Sequence, residues 1–228
     1  MRNESELTVF LEPSDTIDSD HDAIRRFAYT QTAGAKSPME KAIALFYAVR
    51  DGIRYDPYAI DLSIEGLRAS TTLATGRGWC VPKAVLLAAA CRAAGIPARL
   101  GFADVRNHLS TARMREQMQT DVFFWHGYTS IYLHNAWLKA TPAFNIELCE
   151  KFRLKPLEFD GKTDAIYHAF DLDGNRHMDY LGYRGEFPDV PIARIRETFQ
   201  KKYTMMDPGT HADFDTDVAL ETANPNIS

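Results

Sequence analysis

Apolar residues fall at helical spacing in several stretches of the chain. Between residues 21 and 32, Ile24, Phe27 and Ala28 share one face of a predicted helix, with Asp18, Ser19 and Asp20 as candidate N-cap residues. A clearer start follows at Ser37-Pro38-Met39-Glu40, where Ser occupies the cap, Pro the first helical position and Glu the third. The helix behind this capping box turns Ala42, Leu45, Phe46 and Val49 inward and ends near Gly52. A third, apolar helix reads VPKAVLLAAACRAAG, with Pro82 in its first turn and Gly95 as its C-terminal cap.

Strand signals are distributed differently. Leu7 to Leu11, Ile96 to Val105, Phe123 to Leu133 and Ala136 to Phe144 are predicted strands, the last two joined by a hairpin turn at His134-Asn135. Residues 152–159 are a further strand candidate, FDLDGN within 166–183 marks a turn, and VPIARIRETFQKKY is a last helix. Residues 53–75 and 106–121 lack a sustained period; the first is a long connection of the kind that lines functional sites, the second a polar surface excursion. From Thr204 the chain turns polar and Pro/Gly-punctuated. This divides it into one domain over residues 1–203, with its core at about 38–145, and a loose tail over 204–228.

Composition narrows the classes. With 45% hydrophobic and 25% charged residues the 228-residue chain can bury a full core, so neither metal nor disulfide is needed for stability. A net charge of -5 argues against a nucleic-acid or anionic-membrane surface. Cys80, Cys91 and Cys149 are odd in number and at no metal-ligand spacing, which predicts free thiols in a reducing compartment. The first residues lack the apolar run of a signal peptide, and Val85 to Cys91 is far too short to span a bilayer. A soluble, cytoplasmic protein is expected.

The candidate chemistry centres on Cys80, at or just before a helix N-terminus. Backbone N–H groups there favour a thiolate and can hold an oxyanion, and Gly76 and Gly78 leave the approaching backbone uncrowded. Cys91 falls on an apolar face about 16 Å further along the helix and reads as core. A thiol nucleophile needs a base from elsewhere in the fold. His126, opening a strand after Phe123-Phe124-Trp125, is the best placed of the seven histidines. With a two-residue turn at His134-Asn135, Leu133 pairs with Ala136 and His126 lies opposite Ala143. Lys139, Thr141, Ala143 and Asn145 then share its face. Thr141 or Asn145 can orient the imidazole, and Asp104 on the neighbouring strand is a further candidate, although an ion pair with Arg99 or Arg106 is its expected fate. The group Asp171, Asp173, Asn175, His177 and Asp179 lacks the Gly and Glu of an EF-hand and reads as a polar turn.

These segments resemble the transglutaminase-like superfamily, relatives of papain in fold. GWC at the helix start, AACRAAGIPARL leading to GF, HGYTSIYL opening a strand and WLKATPAF closing the next are similar to the family's motifs, as is the upstream FYAVRDGIRYD. The resemblance covers residues 40–145 well and the rest loosely. It implies an α+β fold in which the nucleophile helix packs on an antiparallel sheet. It further implies a cysteine hydrolase or acyltransferase without cofactor or metal, acting on a small-molecule or peptide acyl substrate. The family's nucleophile falls on Cys80, its base on His126, and its aspartate on Thr141, a departure that replaces a charge by a hydroxyl. Trp79 and Tyr55 are candidate substrate-binding residues, with core packing an equal contender for Trp79. Because a hydroxyl stabilises an imidazolium less than a carboxylate, two alternatives stay open. One is chemistry on a small carbonyl compound in the aromatic setting of Tyr55, Tyr58, Trp79, Phe123 and Phe124; the other is a non-catalytic binding module.

Overall fold

The computed structural model describes residues 4–107, 110–167, 170–203 and 213–223. Helix α1 (Glu4–Thr8) stands where the apolar run Leu7 to Leu11 predicts a strand. The run ends in turns, Phe10 packs edge-on against Trp137 at 5.2 Å, and the Phe10 carbonyl accepts from Ala98 N–H, so its apolar character is spent on one contact rather than on a ladder. Helix α2 (Asp22–Gln31) is capped by His21, while Asp18 instead accepts hydrogen bonds from Ser70. Helix α3 (Pro38–Gly52) starts at the predicted cap, with Ser37 Oγ accepting from Glu40 N–H, while Glu40 reaches one residue further back and accepts from Lys36 N–H.

The predicted connection over 53–75 is largely ordered. It holds β1 (Arg54–Tyr55), α4 (Ile64–Leu67) and α5 (Ala69–Thr75), and Gly76 closes α5 in the left-handed conformation at φ 67°. Strand β2 (Arg77–Gly78) pairs in parallel with β1 and leads into α6 (Cys80–Ala93). Next come β3 (Ala98–Asn107), α7 (Ala112–Met118), β4 (Val122–Leu133), β5 (Ala136–Ala140) and α8 (Ile146–Lys151). Strand β6 (Met178–Phe187), α9 (Ile192–Lys202) and α10 (Phe214–Ala223) complete the chain.

Four strands form an antiparallel sheet in the order β5-β4-β3-β6, and α6 packs against β4 and β3. This is the α+β arrangement expected, with the cysteine-bearing helix laid on an antiparallel sheet. Nearly every residue of α6 is buried, so the helix forms the centre of the core. The hairpin register is as predicted, Leu133 opposite Ala136, with His134 and Asn135 both at positive φ. Strand β5 stops at Ala140 instead of reaching Phe144: Pro142 has no N–H to offer, and Thr141 N–H turns away to the Ala165 carbonyl.

Three further expectations are corrected. Residues 152–159 form no strand, although Leu154, Leu157 and Phe159 are buried. Strand β6 has no counterpart in the sequence reading, because Tyr180, Leu181 and Tyr183 are all exposed and its apolar residues do not alternate. Of the expected loose tail, residues 204–212 and 224–228 lie outside the described residues. Residues 214–223 form α10, whose Phe214 and Val218 are buried.

Candidate active site

The entry to α6 is fixed on both sides. Arg54 N–H donates to Gly76 O and Asp56 N–H to Gly78 O, so the parallel β1–β2 pair pins the chain just before Cys80. A side chain at Gly78 would press on Pro82 Cγ at 3.1 Å. One turn into the helix, the buried Lys83 ammonium donates to the Arg50 and Ile53 carbonyls and so ties α6 to the C-terminal end of α3. Burial pulls Lys83 down to about 7.

Cys80 itself is buried. Desolvation pushes its thiol up to about 12, opposed by the nearby backbone N–H groups of Gly127 and Val81. The approach at Gly127 is close: a Cβ there would lie 3.1 Å from the Cα of Val81 and crowd the start of α6. His126 precedes Gly127 on β4, opposite Ala103. Burial alone pulls the imidazole down to about 4. Its Nε2 has no hydrogen-bond partner, and its ring lies 5.2 Å from that of Tyr167.

Cys80, His126, Trp79 and Tyr55 line one cavity of about 40 Å³. None of the residues around it is an Asp, Glu, Lys or Arg. Among the described residues no direct hydrogen bond joins the Cys80 sulfur to His126, so the resting pair is a neutral thiol facing a neutral imidazole across a narrow apolar space. Tyr58, Ile60, Phe199 and Tyr203 are shared between this cavity and a wider groove of about 650 Å³ that also touches Asp61 and Arg196. The groove gives the cavity a polar approach.

The third partner is different. Thr141 is buried, does not line the cavity, and its Oγ1 makes no hydrogen bond. Asn145 is committed elsewhere, its Oδ1 accepting from Tyr55 N–H at 3.1 Å and its Nδ2 donating to Glu147. Asp104 pairs with Arg184, at 2.7 Å, rather than with Arg99 or Arg106, which pair with Glu186 and Asp121. The polar turn at 171–175 is self-contained: Asp171 accepts from the N–H groups of Asp173 and Asn175, and Asp173 pairs with Arg153.

Sequence reasoning missed four aromatic residues. Phe199 of α9 and Tyr203 at its C-cap wall the cavity, Tyr167 lies tilted against His126, and Phe214 of α10 packs edge-on against Tyr55 and Tyr58 at 5.8 and 5.3 Å. The spacing of Phe199 and Tyr203 on one helical face was a usable signal; nothing near Tyr167 marked it.

A model of the transglutaminase-like superfamily core matches residues 25–142, more than half of the chain, and that span contains both Cys80 and His126. The chain belongs to the transglutaminase-like superfamily. No curated protein matches it significantly. Solved structures similar to this transglutaminase-like chain include a "putative cysteine protease" from Cytophaga hutchinsonii, at 18% identity and a TM-score of 0.48, matched over 82% of this chain and 55% of the other. Another is a "putative protease" from Parabacteroides distasonis, at 18% identity and a TM-score of 0.38, matched over 60% of this chain and 25% of the other. This transglutaminase-like chain thus spans about half the length of the first and a quarter of the second. Among its described residues no helix is long and apolar enough to cross a membrane, and no group of three or more His, Cys, Asp or Glu side chains is arranged to hold a metal ion.

Proposed function

We propose that the protein is a cysteine-dependent acyl enzyme in which Cys80 is the nucleophile and His126 the base. The observation that carries this reading is that two residues far apart in sequence meet around one water-poor cavity at a helix N-terminus. The backbone N–H groups of Gly127 and Val81, close to Cys80 at the helix start, are the donors such chemistry needs nearby.

With both groups neutral at rest, the chemistry runs by general base catalysis rather than from a preformed ion pair. Substrate entering the cavity draws the thiol and imidazole together. His126 takes the S–H proton as Sγ bonds to the carbonyl carbon, and the oxyanion rests on the backbone N–H groups. Collapse breaks the bond to the leaving group, which receives the proton from the imidazolium and leaves an Sγ-acyl thioester. Water or an amine then attacks and loses its proton to His126. The Sγ–C bond breaks, and the proton returns to sulfur. Thr141 Oγ1 and His126 Nε2 are both buried and unpartnered, and Thr141 belongs to the neighbouring segment of the same hairpin. As the charge develops, Thr141 is the neutral acceptor for the imidazolium. The uncharged lining favours an apolar acyl group, with Trp79 and Tyr55 packing against it and the polar groove receiving the leaving-group side. Free, buried thiols at Cys80, Cys91 and Cys149 suit a cytoplasmic setting.

Intact-mass spectrometry with p-nitrophenyl butyrate tests the proposal. A butyryl adduct is expected on the wild type and its absence on Cys80→Ala; equal acylation of both proteins overturns it. The narrow uncharged cavity and the absent carboxylate favour a second reading, in which the same pair acts on a small carbonyl compound by C–C cleavage or isomerisation. Modification of Cys80 by carbonyl electrophiles, with no turnover of any ester or amide, shifts the assignment there.

A further inference from the structure

The ladder between β3 and β4 is interrupted immediately before His126. Val105 pairs with Phe123 and Ala103 with His126, so Phe124 and Trp125 on β4 together oppose the single residue Asp104 on β3. Trp125 has φ 60°, a conformation that costs a bulky residue roughly 1–2 kcal/mol. The inserted residue changes which side of the sheet the following side chains take. Phe123 and His126, three positions apart, pair with Val105 and Ala103, which share a face of β3, and both line the Cys80 cavity. Without the insertion His126 would exchange sides with Gly127, where a Cβ already comes within 3.1 Å of the Val81 Cα.

Both amides displaced by the bulge are satisfied by side chains. Phe124 N–H donates to Tyr203 Oη at 2.8 Å, and Trp125 N–H donates to Asp104 Oδ1 at 3.1 Å. Asp104 is held in turn by the fork of Arg184, at 2.9, 3.0 and 2.7 Å. Arg184 is itself the extra residue where β6 shifts register against β3. The same guanidinium lies 5.2 Å from the centre of the Trp125 ring, whose Nε1 donates to Thr198 Oγ1.

We propose that Asp104, clamped by Arg184, is a positioning residue that holds the Phe124–Trp125 bulge and thereby aims His126 into the Cys80 cavity. This rests on the assignment of Cys80 and His126 made above. It also explains why Asp104, on the strand next to His126, faces an arginine and a backbone N–H rather than the imidazole.

The test compares Asp104→Ala, Asp104→Asn and His126→Gln by two rates: acylation by p-nitrophenyl butyrate at pH 7, which needs the base, and alkylation of Cys80 by iodoacetamide above pH 10, where hydroxide removes the proton. Asp104→Ala should lose tenfold or more in acylation with alkylation changed less than twofold, and the 13C shifts of the His126 ring should move. Asp104→Asn keeps an acceptor for Trp125 N–H and should fall between Asp104→Ala and wild type. If Asp104→Ala does not fold, a threefold loss in Asp104→Asn supports the proposal and an unchanged rate overturns it. Wild-type acylation in a folded Asp104→Ala, while His126→Gln is impaired, overturns it and leaves the Cys80–His126 assignment intact. Unimpaired His126→Gln instead removes that assignment itself.

Discussion

At Cys80 and His126 the cost of removing charge from water exceeds the help the surroundings give. The nearby N–H groups of Gly127 and Val81 do not bring the thiol down, because the cavity offers no cation, and no carboxylate lifts the imidazole. The rate of Cys80 acylation should therefore be flat from neutral pH to about 5 and fall only as the imidazole protonates near 4. Stopped-flow acylation between pH 3.5 and 9 checks this, and an inflection near neutrality would show an ion pair instead. Stability carries the same signature. The folded imidazole titrates below its unfolded value of 6.5, so between 6.5 and about 4 the unfolded chain binds the extra proton and stability is lost as pH falls. The loss attributable to this group is on the order of 3 kcal/mol, and denaturant melts at pH 7 and 4.5 should show it reduced in His126→Gln. That Cys80 and His126 border a common cavity was legible in the sequence, because a glycine-flanked helix start and a two-residue hairpin turn each fix a position. Thr141 was legible only as a place in a register: its hydroxyl bonding depends on packing that alternation does not encode.

Helix α6 is held at its first turn by Lys83, whose donors close the carbonyl end of α3. Lys83→Met keeps the length of the side chain but strands two buried carbonyls, and should destabilise the fold by about 2 kcal/mol, measured by denaturant unfolding at pH 7. Elements with a capping box, a Gly stop or a tight turn were read with accurate ends. Those set by neighbours were not. Strand β6 is an edge whose middle is exposed on both faces, so no alternation marks it. The end of β5 is decided by Pro142 and by the Ala165 carbonyl that takes Thr141 N–H.

Across the molecule, α10 packs behind two residues that line the cavity. Asp217 of α10 accepts from Tyr58 Oη at 2.8 Å and from Arg113 at 2.7 Å, while Phe214 packs on Tyr55 and Tyr58. Its sequence is too polar and too weakly periodic to announce this, since only Phe214 and Val218 turn inward. Phe214→Ala should cost about 3 kcal/mol if α10 stays docked; release of the helix would appear as earlier cleavage within 214–223 in limited proteolysis and faster alkylation of Cys80.

Because β5 ends at Ala140, among the described residues the edge of β4 away from β3 has no neighbouring strand beyond Thr129. Gly127 lies on that stretch, and its amide opposes the upward push that burial gives the Cys80 thiol. Had the hairpin continued for another pair of rungs, that hydrogen would have been consumed in holding two strands together. The chemistry proposed for Cys80 thus draws on an incomplete seam, and a variant that lengthened β5 would make a tidier sheet and a quieter thiol.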